Sequence, residues 1–107
     1  MKKGLIISGN LVQDHEFIYP YYRLLEADFK VDVCLLEGVP VKGILGTTLP
    51  PNKDQVVKKI DDIKVDDYKI LVLPGGVKAM EKVRQEKKII DFISEFDNQK
   101  KNNCVYM

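Results

Sequence analysis

The sequence lacks an excess of charge of either sign: 17 lysines and arginines face 16 aspartates and glutamates in 107 residues, a formal net charge of +1. The signs are interleaved rather than gathered into a basic stripe, so the field that draws nucleic acid or an anionic membrane surface is missing. Long apolar runs are missing as well. The start, MKKGLIISGN, offers only Leu5, Ile6, Ile7 and the small Ser8 before Gly9-Asn10, less than a signal peptide's apolar region and far below the roughly 20 residues of a membrane-spanning helix. The expectation is a cytoplasmic protein with no nucleic-acid or membrane partner. One histidine and two distant cysteines give no metal-ligand spacing, so no metal site is expected. Cys34 and Cys104 both lie in apolar runs, VDVCLL and CVYM, where reduced cysteine acts as a small buried hydrophobe.

Phosphate-binding signatures are absent too. The loop after the first apolar run reads SGNLVQDHE, with neither a GxGxxG fingerprint nor a P-loop. It has too few hydroxyl and glycine residues for a flavodoxin-type mononucleotide loop. No acidic pair follows that run, which excludes a phosphoacceptor receiver site. No cofactor is expected.

What is present describes one domain spanning residues 1–107. A chain of this size, 45% apolar, buries roughly 60–70% of its unfolded surface without a disulfide or a metal. Apolar runs at 3–8, 30–36, 69–73 and 103–107 read as strands. Helical spacing of Phe17, Tyr21, Leu24, Leu25 and Phe29 predicts a helix near 17–28 that becomes regular only close to Pro20, whose ring clashes with the carbonyl four residues earlier. A second amphipathic pattern predicts one helix over 79–97. Glycines and prolines between 38 and 51 leave room for a hairpin near 41–50, and Gln55–Ile63 could add a helical turn or two. Strands of continuous apolar residues alternating with helices imply an α/β fold with a mostly parallel sheet covered on both faces. Such a sheet places its ligands outside the carboxyl ends of its strands, here the loops after Ser8 and Leu73.

Two features of those loops could carry chemistry. Pro74-Gly75-Gly76 closes the strand LVLP with no side chain to block an approaching group, and backbone N–H groups so placed can stabilise an oxyanion. The alternative is a strand-to-helix turn that uses glycine for positive φ. Glu16, beside Phe17, Ile18 and Pro20, could sit as a neutral acid that donates a hydrogen bond or shuttles a proton. It could equally be a solvated carboxylate at the positive end of a helix. Asp14 reads as a helix cap. His15 has no cysteine or serine near it in sequence and reads as a surface residue. Tyr19, Tyr21 and Tyr22 supply apolar area, and Arg23 could pair with an acid.

Three segments, GLIISGNLVQDHEFIYPYYRLLEADFKVDV, DDYKILVLPGG and IIDFISEF, together resemble the ThiJ/PfpI family of the class I glutamine-amidotransferase-like superfamily. That family includes PfpI-type intracellular proteases, glyoxalase III-type enzymes and the parkinsonism-associated deglycase. The resemblance implies a flavodoxin-like three-layer sandwich. It also implies cysteine-dependent chemistry on a small carbonyl, amide or glycated substrate, with the nucleophile on a sharp elbow after the strand that follows the second long helix. The family's Glu-x-x-x-Pro corresponds to Glu16 and Pro20, whose glutamate hydrogen-bonds that thiol, and its Leu-Pro-Gly-Gly supplies Gly75 and Gly76 beside the oxyanion position. On this pattern CVYM is the strand leading to the elbow, Cys104 lies too early to be the nucleophile, and the chain corresponds to the N-terminal part of such a domain, truncated before the elbow. The partners implied are a homodimer or larger homo-oligomer, or a complementing C-terminal segment. A non-catalytic redox-sensing, chaperone-like or regulatory binding module of the same fold is the alternative reading.

Overall fold

The computed structural model describes residues 2–99 and 104–106. Among them a five-stranded, all-parallel sheet runs in the order β5 (Val57–Lys58), β2 (Lys30–Leu35), β1 (Lys3–Ser8), β6 (Ile70–Leu73), β7 (Cys104–Tyr106). A two-stranded antiparallel hairpin, β3 (Val41–Lys42) and β4 (Thr48–Leu49), stands outside it. The register sets Ile6 opposite Val33 on one side and Val72 on the other.

Side chains alternate between the two faces of this sheet, as the two-residue strand period requires. Ile6, Val31, Val33, Leu35 and Val72 pack with Phe17, Tyr21 and Leu24 of α1 (Asp14–Glu26). Leu5, Ile7, Cys34, Leu71 and Leu73 pack with Ile89, Phe92 and Phe96 of α3 (Lys87–Gln99). Burial on both faces is why β1 and β6 read as continuous apolar runs. Cys34 is free and fully buried; burial, with the nearby charge of Asp62, pushes its thiol up to about 12. The side chain of Cys104 lies outside the described residues.

Three expectations need correction. Helix α1 starts at Asp14, not near Pro20, and runs through the proline. Pro20 deprives only the Glu16 carbonyl of its helical bond, and burial of Phe17, Tyr21 and Leu24 against the sheet outweighs that loss. The segment read as one helix over 79–97 is two, α2 (Val77–Gln85) and α3, divided at Glu86, which is extended with φ −89° and ψ 105°. Apolar spacing changes phase there: Val83 and Ile89 are both buried but six residues apart, a separation that one helix face does not carry. Within Gln55–Ile63, Val57–Lys58 forms strand β5 beside β2, and only Ile60–Asp62 makes a 3-10 turn. The polar side of that edge is closed by Gln55, which accepts from the Tyr21 hydroxyl at 2.9 Å and donates to the Val31 carbonyl at 3.0 Å.

One buried charge interrupts the α3 layer. Asp32, 5% exposed, accepts a hydrogen bond from the Tyr68 hydroxyl at 2.7 Å and pairs with Lys58 at 3.2 Å. Burial and the adjacent Asp32 push the Tyr68 phenol well above its ordinary range, so it acts as a donor. Tyr68→Phe removes the donor and leaves Asp32 with less compensation, and is expected to lower stability by about 1.5–3 kcal/mol, the usual worth of a hydrogen bond to a charged group. A shifted urea midpoint with unchanged m-value is the check.

Candidate functional site

The carboxyl ends of β1 and β6 meet through their backbones. Beyond Ser8 the chain turns at Leu11, whose φ is 64°, and enters α1 at Asp14. The Gln13 N–H donates to the Gly75 carbonyl at 3.0 Å. Gly76, at φ 128°, begins α2, and its carbonyl accepts from Met80 at 2.9 Å. A Cβ on Gly76 would stand 2.8 Å from the Gln13 nitrogen and 3.1 Å from the Val12 Cα. Only glycine combines that φ with so close an approach of two backbones.

Glu16 is therefore carried by a helical turn whose first carbonyl, that of Gln13, is fixed against the Pro74-Gly75-Gly76 turn. The Glu16 and Phe17 N–H groups both donate to that carbonyl, at 3.1 and 3.2 Å. Glu16 is half-buried. The N–H groups of Gly75, which is buried, and of Gly76, which is half-buried, have no acceptor among the described residues. Ser8, at the end of β1, is buried and its hydroxyl has no partner among the described residues, a feature that the apolar run KGLIIS gave no reason to single out. An open groove of about 390 Å³ lies between Asn10, Glu37, the β3–β4 hairpin and Lys82, and Glu16, Gly75 and Gly76 do not line it.

The structure thus brings the turn carrying Glu16 onto Gly75 and Gly76, the three positions singled out from sequence. His15 does not join them: it is exposed and lines a groove on the outer face of α1 with Tyr19, Tyr22 and Arg23. Arg23 pairs with Glu26 at 3.2 Å on the surface. Of the three tyrosines, Tyr21 is in the core and Tyr19 and Tyr22 are exposed. Among the described residues no group of His, Cys, Asp and Glu has the arrangement of a metal site, and no helix is long and apolar enough to cross a membrane.

Asp14 departs from its expected role. The cap position belongs to Gln13, and the Asp14 carboxylate, 1% exposed, instead accepts N–H bonds from Leu45 at 2.8 Å and Thr47 at 3.0 Å in the β3–β4 turn. Any Cβ on Gly43 would collide with this carboxylate. Burial alone would raise the Asp14 carboxyl, but the bonds from Leu45 and Thr47 overcome it and hold the group below its ordinary 3.8. A short-range capping pattern could not disclose these partners, which lie more than thirty residues away.

The DJ-1/PfpI family model matches residues 2–105. The chain belongs to the DJ-1/PfpI family. Deglycase PfpI of Pyrococcus furiosus is 35% identical over 89 residues, covering 83% of this chain and 50% of that protein. Among solved structures, a two-domain protein of Anabaena variabilis with DJ-1/ThiJ/PfpI-like and ferritin-like domains superposes with a TM-score of 0.80 at 28% identity, covering 92% of this chain and 27% of the other. DJ-1 of Schizosaccharomyces pombe superposes with a TM-score of 0.75 at 18% identity, covering 97% and 55%. The parallel sheet with helices on both faces is the flavodoxin-like arrangement of DJ-1/PfpI proteins, and the chain spans about half the length of the curated relatives it matches.

Two outcomes are expected. Gly76→Ala forces both the strained φ and the contact with Gln13, and is expected to cost about 1–3 kcal/mol or more, read from denaturant unfolding. The stabilisation that Asp14 gains from a depressed folded value is complete above the unfolded value and is lost as pH falls through the folded one. Stability measured from pH 5 downward is therefore expected to fall more steeply in wild type than in Asp14→Asn.

Proposed function

We propose that this chain supplies the acid and oxyanion half of a cysteine-dependent site acting on small carbonyl, amide or glycated substrates. The single observation that carries the reading is the Gln13–Gly75 contact, which sets the Glu16 turn against two glycines whose N–H groups have no acceptor among the described residues. The names of relatives such as deglycase PfpI support the substrate class. In this chemistry a thiolate sulfur bonds to the carbonyl carbon, the π pair moves to the oxygen, and the Gly75 and Gly76 N–H groups receive the negative charge. Glu16 exchanges the thiol proton. Cys34 has no part in it, being buried in the core and held protonated. The nucleophile belongs on an elbow following β7, and the outer edge of β7, unpaired among the described residues, suits a complementing C-terminal segment or a second copy.

In protein that carries the elbow thiol, Glu16→Gln is expected to displace the curve of thiol alkylation against pH. Release of free amine from an amino acid modified by an α-oxoaldehyde is expected to fall by about 10²-fold or more, with the circular dichroism spectrum unchanged. Superimposable alkylation curves remove Glu16 from the site. Wild-type protein that binds the modified amino acid but releases no amine makes it a binding module.

A further inference from the structure

The β3–β4 hairpin is tied to the loop after β1 at five points. Leu11 N–H donates to the Lys42 carbonyl at 2.8 Å, Ile44 N–H to the Val12 carbonyl at 3.0 Å, and Lys42 N–H to Asn10 Oδ1 at 3.2 Å. Leu45 and Thr47 N–H close the set on the two carboxylate oxygens of Asp14. The turn itself is held by Gly43 N–H to the Thr47 carbonyl at 2.9 Å and Gly46 N–H to the Gly43 carbonyl at 3.0 Å. The next residue before Asp14, Gln13, is the one fixed to Gly75. Residues 10–14 are thus gripped from two sides by bonds from or to the backbone, and among the described residues Asp14 is the only side chain that accepts from the hairpin tip.

We propose that Asp14 is a positioning residue for Glu16, latching the hairpin over the loop so that the first turn of α1 cannot rotate away from Gly75 and Gly76. The inference rests on the reading of Glu16 given above. Both residues lie in that first turn, two positions apart on a rigid helix, so whatever holds the Asp14 carboxylate also fixes the direction in which Glu16 leaves the helix. A carboxylate suits the post because it accepts at both oxygens. An asparagine keeps the shape and loses one carboxylate acceptor, leaving one of the two hairpin N–H groups without its charged partner. Gly43 is the matching half of the latch, since any side chain there displaces the carboxylate.

The test uses the full chain and needs no turnover, so the latch can fail while the proposed chemistry stands, and the reverse. Asp14→Asn and Gly43→Ala attack it from its two sides, and Tyr68→Phe, on the opposite layer, is a control for lost stability alone. Two readouts are taken: hydrogen exchange of the Gln13, Leu45 and Thr47 amides, and the carboxyl ¹³C resonance of Glu16. Both latch variants are expected to speed exchange at all three amides by about tenfold and to move the Glu16 resonance, whereas Tyr68→Phe leaves that resonance in place. Faster exchange at Leu45 and Thr47 with Gln13 and the Glu16 resonance unmoved would overturn the proposal, leaving Asp14 as a hairpin tether. If both variants fail to fold, native-state exchange of wild type decides. One common opening free energy for the three amides supports the latch, and a separate one for Gln13 contradicts it.

Discussion

The backbone of Val12 and Gln13 lies directly on that of Gly75 and Gly76, and the geometry of the site follows from this contact. Two backbones can approach so closely only where one of them has no side chain, and here Gly76 also takes a φ that a residue with a Cβ rarely adopts. The Gln13–Gly75 hydrogen bond gives the contact its direction. A helix that starts at this point has its first turn fixed in space before any of its side chains is considered, and Glu16 is in that turn.

The layers beneath make the contact possible. Strands β1 and β6 are neighbours in a parallel sheet, so both reach its carboxyl edge side by side, and the loops that leave them meet there. Burial on two faces holds the strands: α1 covers one, α3 the other, and β1, β2 and β6 each divide their residues between the two. The hairpin adds a third wall. Its hydrogen bonds go to the backbone of Leu11 and Val12, to the Asn10 side chain and to one carboxylate, Asp14, whose desolvation is offset by the N–H groups it accepts. A buried acid kept ionised in this way belongs to the scaffold, while Glu16, two residues later, is only half-buried.

Much of this was legible in the residues themselves. Apolar runs marked β1 and β6, and a segment that alternates before turning fully apolar, KVDVCLL, marked β2, each to within a residue of its ends. Glycine and proline marked the hairpin and the Pro74-Gly75-Gly76 turn, and the parallel order then put Glu16, Gly75 and Gly76 at one edge. What escaped depended on distant partners. Pro20 marks a helix start when only local bonding is weighed, yet packing of Phe17, Tyr21 and Leu24 carries α1 through it. Val56 and Val57 match a helical face as well as a strand, and only the open side of β2 decides between them. Asp14 fits a capping pattern at its own position, and its hairpin partners are set by topology alone.

The central claim is that the turn carrying Glu16 is fixed on the Gly75–Gly76 backbone, and the most direct measurement is an NMR one on the isotopically labelled chain. A scalar coupling through the hydrogen bond from the Gln13 nitrogen to the Gly75 carbonyl carbon, together with nuclear Overhauser effects from the Gln13 amide proton to the Gly76 α protons, is the predicted result. A folded chain whose Gln13 amide shows neither, and exchanges with solvent as freely as a loop amide, would contradict it.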